Sequence, residues 1–330
     1  HAAWEAALAN THAPGDLALV LATGRFAHGW AGMADAMQID TRIIDHGTST
    51  PVDPARLAEA LAADPEHRIK SVLVVQADTS TSVLSDIAPL RAVLDAAGHP
   101  ALLMVDCIAW LACDRFEMDA WGVDLMVAGS QKGLMTPPGM AFVFFNDRAR
   151  AAAPAHVSSY WDWRPRTAAK NLSQYFCGTA PTHHLFALRE ALDMIAEEGM
   201  EAVWTRHDTL ARAIWAAAEG WRAGGALRLN VGDAAHRSRA VTTLHLPQPK
   251  ATELRRWLEA NAGVTLGIGL GFETDDDPDA TGTFRIGHMG HVNAHMVMGV
   301  LGVVEAGLNA LDIPHGAGAL SAASEVISVV

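Results

Sequence analysis

From Asp16 to Asp124 the chain alternates short aliphatic or β-branched runs with stretches whose apolar positions recur at helical spacing. Leu17–Ala22, Ile43–Ile44, Ser71–Val75, Ala101–Val105, Leu125–Ala128 and Ala141–Phe145 read as strands; segments near Trp30–Met37, Pro54–Ala63 and Ile87–Ala97 read as helices. Runs that are apolar at nearly every position suit strands covered on both faces. Their alternation with helices implies βαβ units, hence an α/β fold with a mostly parallel sheet. Sites in such sheets gather beyond the carboxyl ends of the strands, so the residues that follow the runs are the first candidates for chemistry.

After Phe145 the pattern changes. The tract from Ala153 to Thr182 carries Tyr160, Trp161, Trp163, Tyr175 and Phe176 among prolines and basic residues, and reads as a long functional loop or interface. Helices are expected from about Thr182 to Glu197 and from Glu201 to about Arg222, broken at Gly199, and bridging two domains. Beyond them Ala226–Val231, Ala240–Leu246, Val264–Ile268 and Thr283–Ile286 read as strands, with helices at Ala251–Ala262 and Asn293–Leu311. This is the pattern of a smaller α+β domain, and the expected division is residues 1–198 and 199–330. The acidic run Asp275 to Asp277 reads as a solvated turn. The chain opens at His1 in a helical pattern of Ala, Trp and Leu, with no initiator Met and no signal-peptide layout, so a leading part of the first domain is expected to precede it.

Composition narrows the function. A formal charge of −13 with 18% charged residues gives no basic footprint for nucleic acid and no disordered chain. The longest apolar runs fall well short of the ~20 residues of a membrane helix, so a soluble protein is expected. Three cysteines, Cys107, Cys113 and Cys177, show no paired spacing; free thiols and a cytoplasmic, reducing location are expected. Among the 16 histidines, the pairs His183 with His184 and His288 with His291 lack the further ligands of a closed metal site, and no metal is expected.

The candidate chemistry lies at three places in the first domain. One run ends in Asp106; a second leads into Gly129-Ser130-Gln131-Lys132-Gly133; and Pro137-Pro138-Gly139 precedes a third. Both ionisable side chains leave the carboxyl edge of one sheet. Taken singly, Asp106 reads as well as a cap and Lys132 as a solvated loop lysine.

With Trp121-Gly122-Val123-Asp124 and Phe284-Arg285-Ile286-Gly287-His288-Met289-Gly290, in this order and spacing, the chain resembles the class V aminotransferases of the fold-type I pyridoxal 5'-phosphate (PLP) enzymes. The resemblance is strongest to the group of alanine, serine or aspartate:glyoxylate aminotransferases and runs from His1 to about Leu311. It implies a large domain around a seven-stranded type of sheet, a small C-terminal domain, PLP as cofactor, and a homodimer with a shared site. Lys132 is then the lysine that carries PLP as a Schiff base, and Asp106 the carboxylate that pairs with the pyridine nitrogen. A negative charge there keeps the ring protonated, which makes it the stronger electron sink. The resemblance also implies that Phe26 stacks on the ring, although an ordinary buried aromatic fits the sequence as well. Thr79 matches a hydroxyl that contacts the cofactor, and Gln131 and Thr179 match phosphate ligands, Thr179 coming from the neighbouring subunit. His1 matches the residue just after a phosphate-binding loop, at a helix N-terminus. Arg285 matches the arginine that grips the substrate α-carboxylate through two parallel N–H groups. Ser82 departs from the pattern, since relatives commonly carry Gly there.

The expected activity is a ping-pong transfer of an amino group from serine, alanine or aspartate to glyoxylate or another small 2-oxo acid. Among related chemistries, a pyridoxamine:pyruvate aminotransferase stays open; a cysteine-desulfurase-like lyase needs a mobile thiol, and Cys177 is outside the segment where those enzymes keep theirs. A nicotinamide dehydrogenase is disfavoured because Gly267, Gly269 and Gly271 do not form G-x-G-x-x-G and an acidic loop follows. A PLP-fold binding scaffold has no chemical need of Lys132, Asp106 and Arg285 together. Arg164 or Arg166 could meet a second carboxylate or sit solvated at an interface.

Overall fold

A computed structural model gives the structure of residues 1–329. Strands β1 (Leu17–Ala22), β2 (Asp40–Asp45), β3 (Ile69–Val75), β4 (Leu102–Asp106), β5 (Leu125–Gly129) and β6 (Ala141–Phe145) form a six-stranded sheet in the order β2-β1-β3-β4-β5-β6. The pairings are parallel except β5 with β6, which are joined by a compact turn rather than a crossover helix and run antiparallel. The resemblance implied a seven-stranded type of sheet. Six strands form among the described residues, one for each apolar run in the sequence.

Successive side chains of a strand point to opposite faces, and both faces are covered. Leu19, Leu21, Val72, Val74, Leu103 and Val105 pack with Leu57 and Leu61 of α3 (Pro54–Ala62) and Leu90 and Leu94 of α4 (Ala88–Ala96). Ala18, Val20, Leu73, Met104 and Val127 pack on the other face with Trp4 and Leu8 of α1 (Ala2–Ala9) and Trp30 of α2 (Arg25–Ala36). This double burial is why the inner strands β1, β3, β4 and β5 lack a polar alternation; the edge strands β2 and β6 are more exposed.

Short helices α5 (Asp147–Ala151), α6 (Arg164–Thr167) and α7 (Leu172–Phe176) lead to α8 (Thr182–Glu198) and α9 (Met200–Arg222). Gly199, at φ 86°, makes the break between the two long helices, a conformation costly for any side chain. A second sheet, antiparallel throughout, has the order β7 (Arg228–Leu229), β8 (Val241–His245), β10 (Thr283–Gly287), β9 (Gly267–Ile268). It packs with α9, α10 (Lys250–Ala262), α11 (Ala294–Ala310) and α12 (Ala319–Ile327) around Trp221, Leu244, Phe284 and Leu301.

Three local expectations need correction. The edge strands β7 and β9 are shorter than the runs Ala226–Val231 and Val264–Ile268 suggested. Helix α12 was not anticipated; it closes on α9 through small residues, so that a Cβ on Gly220 would lie 2.8 Å from Ala319 Cα. Asp277 is no solvated turn residue. It is buried and accepts bonds from Thr281 N at 2.8 Å, Thr281 Oγ1 at 2.7 Å and Gly282 N at 3.1 Å, which hold its carboxyl below the usual range against the opposing effect of burial.

Candidate active site

The order of the large sheet reverses at β1, with β2 on one side and β3 on the other, and a ligand crevice is expected beyond the carboxyl ends of the strands at such a switch. A cavity of about 220 Å³ lies there. Its walls come from α1 (His1, Trp4), the first turn of α2 (Phe26), the segment after β3 (Thr79), the end of β4 (Asp106) and the turn after β5 (Gln131, Lys132).

Asp106 is the last residue of β4 and only 3% exposed. Burial pushes its carboxyl up to about 6, against two stabilising hydrogen bonds: Ile108 N donates to Oδ1 at 2.7 Å and Trp4 Nε1 to Oδ2 at 2.6 Å. Lys132 sits in a turn organised by Ser130. Ser130 Oγ donates to Pro137 O at 2.8 Å, Ser130 N to Met140 O at 3.1 Å, and Thr136 Oγ1 to Ser130 O at 2.8 Å. The next residue must be Gly133, because a Cβ there would overlap the carbonyl oxygen of Leu111. Burial, and then the Arg285 cation, lower the proton affinity of Lys132. No ion pair reaches Asp106 or Lys132 among the described residues, unlike Asp16 with Lys70 or Asp124 with Arg148.

Phe26 forms part of the wall and meets Trp4 edge-on at 6.4 Å. It is fixed by Asp78, a buried carboxylate that sequence reasoning missed. Phe26 N donates to Asp78 Oδ2 at 3.0 Å and Ser80 N to Oδ1 at 2.8 Å, tying the start of α2 to the segment that carries Thr79. Gly24 makes this possible, since a Cβ there would be 2.6 Å from Asp78 Cγ. Ser82 has φ 64°, a left-handed conformation that favours glycine, and its Oγ bonds Thr243 Oγ1 at 2.6 Å.

Arg285 lies in the middle of β10, paired with Thr243 and Gly267. It does not line the cavity but adjoins it: Nη1 donates to Thr79 O at 2.6 Å and Nε to Ile268 O at 2.7 Å. The following loop is pinned by α9, with Gly290 N donating to His207 Nε2 at 3.0 Å and Arg206 Nη1 to Gly290 O at 2.9 Å. His288 spends its ring nitrogens on Thr242 Oγ1 at 2.9 Å and Arg239 O at 3.1 Å.

The fold thus brings His1, Phe26, Thr79, Asp106, Gln131 and Lys132 to one cavity, with Arg285 beside it. Thr179 does not join them in the same chain; it is exposed between α7 and α8. Trp4 and Asp78 were missed. The one signal for Trp4 is its place one helical turn after His1. Among the described residues no group of three or more His, Cys, Asp or Glu is arranged to hold a metal ion, and no helix is long and apolar enough to cross a membrane. Cys177 is exposed and does not line the cavity.

Comparison with known proteins agrees with this geometry. The family described as aminotransferase class-V matches residues 2–273. The chain is 35% identical to a serine--glyoxylate aminotransferase of Methylorubrum extorquens, over 97% of this chain and 80% of that protein. It is 33% identical to an L-aspartate--glyoxylate aminotransferase of Paracoccus denitrificans, over 98% and 79%. The structure superposes on that of ureidoglycine-glyoxylate aminotransferase from Bacillus subtilis with a TM-score of 0.86 at 27% identity, covering 99% of this chain and 82% of that one. Sequence and fold therefore coincide: this chain belongs to the class-V aminotransferase family.

Proposed function

We propose that the protein is a PLP-dependent aminotransferase that moves an amino group from a small amino acid, such as serine, alanine or aspartate, to glyoxylate or another small 2-oxo acid. The observation that carries this reading is a single cavity walled by an amine, Lys132, and a buried carboxylate, Asp106, neither in an ion pair among the described residues. A carboxyl held at about 6 by burial lacks a cation, and a protonated pyridine nitrogen is a cation that would return it to the ionised form. The donor set therefore fits the cofactor. Bound PLP supplies an aldehyde that exchanges amines and a ring that takes up the electron pair left when the donor loses its Cα proton.

The chain's own residues have separable tasks. Lys132 Nζ would hold the cofactor and is the base placed to take the donor's Cα proton; burial and the Arg285 cation bring its neutral amine closer to the working pH. Asp106 would anchor the ring N–H, Phe26 would pack on the ring, and Thr79, Gln131 and His1 would hold its edge and phosphate, helped by the N–H groups at the start of α1. Arg285 spends two of its five N–H donors on Ile268 and Thr79, leaving the rest for a substrate carboxylate.

Tyr160, Leu172, Tyr175 and Phe186, the last 77% exposed, flank the tract that carries Thr179. They support a homodimer in which Thr179 serves the neighbouring site. The break at Gly199 supports a division into a PLP-binding domain, 1–198, and a small domain, 199–330. The free thiols of Cys107, Cys113 and Cys177 suit the cytoplasm. The names of the serine and aspartate relatives, both paired with glyoxylate, favour those donors.

The test is to mix purified protein with PLP and look for a visible absorbance band that Lys132→Ala removes; no band, with none lost in the variant, sinks the reading. A panel of amino donors against glyoxylate and pyruvate then identifies the substrates. Parallel double-reciprocal lines are expected, and intersecting lines would rule out the ping-pong order. Arg285→Lys keeps the charge but loses the fork, so KM for the donor should rise about 10- to 100-fold, with a smaller effect on kcat.

A further inference from the structure

Trp4 is 1% exposed on the sheet-facing side of α1. Its indole is stacked on Trp30 at 5.9 Å and 13°, meets Phe26 edge-on at 6.4 Å, and has the His1 ring at 4.9 Å. Rotation of the indole is blocked on several sides, and its single N–H donates to Asp106 Oδ2 at 2.6 Å. The other oxygen, Oδ1, takes the Ile108 N–H at 2.7 Å. Two fixed donors on opposite oxygens set the plane of the carboxylate, and its remaining lone pairs are those offered to the cavity. Packing alone does not call for this arrangement: phenylalanine stacks equally well and carries no donor that must find a partner.

We propose that Trp4 is a positioning residue that aims Asp106 at the ring N–H of the cofactor and strengthens it as an ionised partner. This rests on the PLP reading above. The bond is charge-assisted, so it favours the carboxylate over the carboxylic acid; without it Asp106 keeps a proton more readily and grips the ring less well. The other charged or titratable groups facing Asp106 are Asp78 after β3, Lys132 after β5 and His1 at the start of α1.

Trp4→Phe tests the role because it keeps the aromatic packing and removes the N–H. Its PLP dissociation constant should rise about tenfold, with kcat lower and the donor KM unchanged. In an Asp106→Ala background the same substitution should change PLP affinity less than about twofold, the signature of a residue acting through its partner. Equal weakening in both backgrounds, or none in either, overturns the proposal. A second measurement needs no aromatic replacement. In cofactor-free protein labelled with ¹⁵N at the indoles and carrying His1→Gln to remove the imidazole 4.9 Å away, the Trp4 N–H resonance should move as pH passes through about 6 and should not move when Asp106→Asn is added; an invariant resonance with Asp106 in place also overturns it. Failure of the unaltered protein to bind PLP at all is a different result, which sinks the cofactor reading and this role together.

Discussion

The two edges of the large sheet treat buried charge in opposite ways. At the amino edge, charges are answered within the protein. Asp16 meets Lys70 at 2.6 Å, and Asp124, 1% exposed, accepts Arg148 Nη1 at 2.8 Å with Arg91 at 3.7 Å. At the carboxyl edge Asp106 is about as buried but receives only two neutral N–H donors. Size does not distinguish the edges in the same way. A hollow of about 590 Å³ lies beside Arg91, Asp124 and Arg148 at the amino edge, against about 220 Å³ for the cavity at Lys132. A buried carboxylate met by cations, or by several neutral donors as Asp277 is, is structure, whereas Asp106, whose carboxyl burial raises to about 6 at the wall of a cavity, is a place for a cationic ligand.

The contrast can be broken or sharpened by mutation. Lys132→Ala should lower transamination by about 10⁴-fold or more, with unfolding stability within about 0.5 kcal/mol of the parent, as measured by initial rates and a denaturant melt. The aspartates should separate function from stability. Asp106→Asn is expected to cost kcat about 10²- to 10³-fold while the fold persists. Asp124→Asn should cost about 3 kcal/mol of stability, leaving Arg148 without its anion and Arg91 with Asp95 alone, yet leave the rate per folded molecule nearly unchanged. If the two variants behaved alike, the distinction between the edges would fail.

The same contrast has a pH signature. Asp106 has its carboxyl raised from 3.8 to about 6 in the cofactor-free protein, so the folded state holds a proton that the unfolded chain has released between those values. This contribution is fully present below about pH 4 and lost as pH rises through 6, on the order of 3 kcal/mol. Urea melts of the cofactor-free protein should lose that much more stability over this range than Asp106→Asn does, and saturating PLP should remove the difference. The smallest effect belongs to the half-exposed pair at the amino edge: Asp16→Asn should cost about 0.5–1 kcal/mol at neutral pH and nothing in kcat, read from the same melts and assays.

Much of this was legible in the sequence because the inner strands β1, β3, β4 and β5 are buried on both faces and so read as apolar runs. Asp106 and Lys132 follow such runs directly, and the motifs around them are what single out this Asp and this Lys as candidates. The bond of Trp4 to Asp106 spans 102 positions, and that of Asp78 to the start of α2 spans 52, so neither leaves a local pattern. Trp4 in particular has the spacing of an ordinary core residue on α1. Asp277 looks solvated in a run of acids because its partners, Thr281 and Gly282, are backbone and hydroxyl groups that no charge pattern announces. Helix α12 keeps apolar positions at helical spacing, Ala319, Ala323, Val326 and Ile327, but is short and built largely of Ala and Ser.

One guanidinium belongs to both halves of the molecule. Arg285 is rooted in the second sheet, yet its Nη1 is spent on Thr79 O, just past β3 of the first. The second sheet and the cavity-wall segment that carries Thr79 are therefore joined through one side chain, so that displacing either end strains the same hydrogen bond.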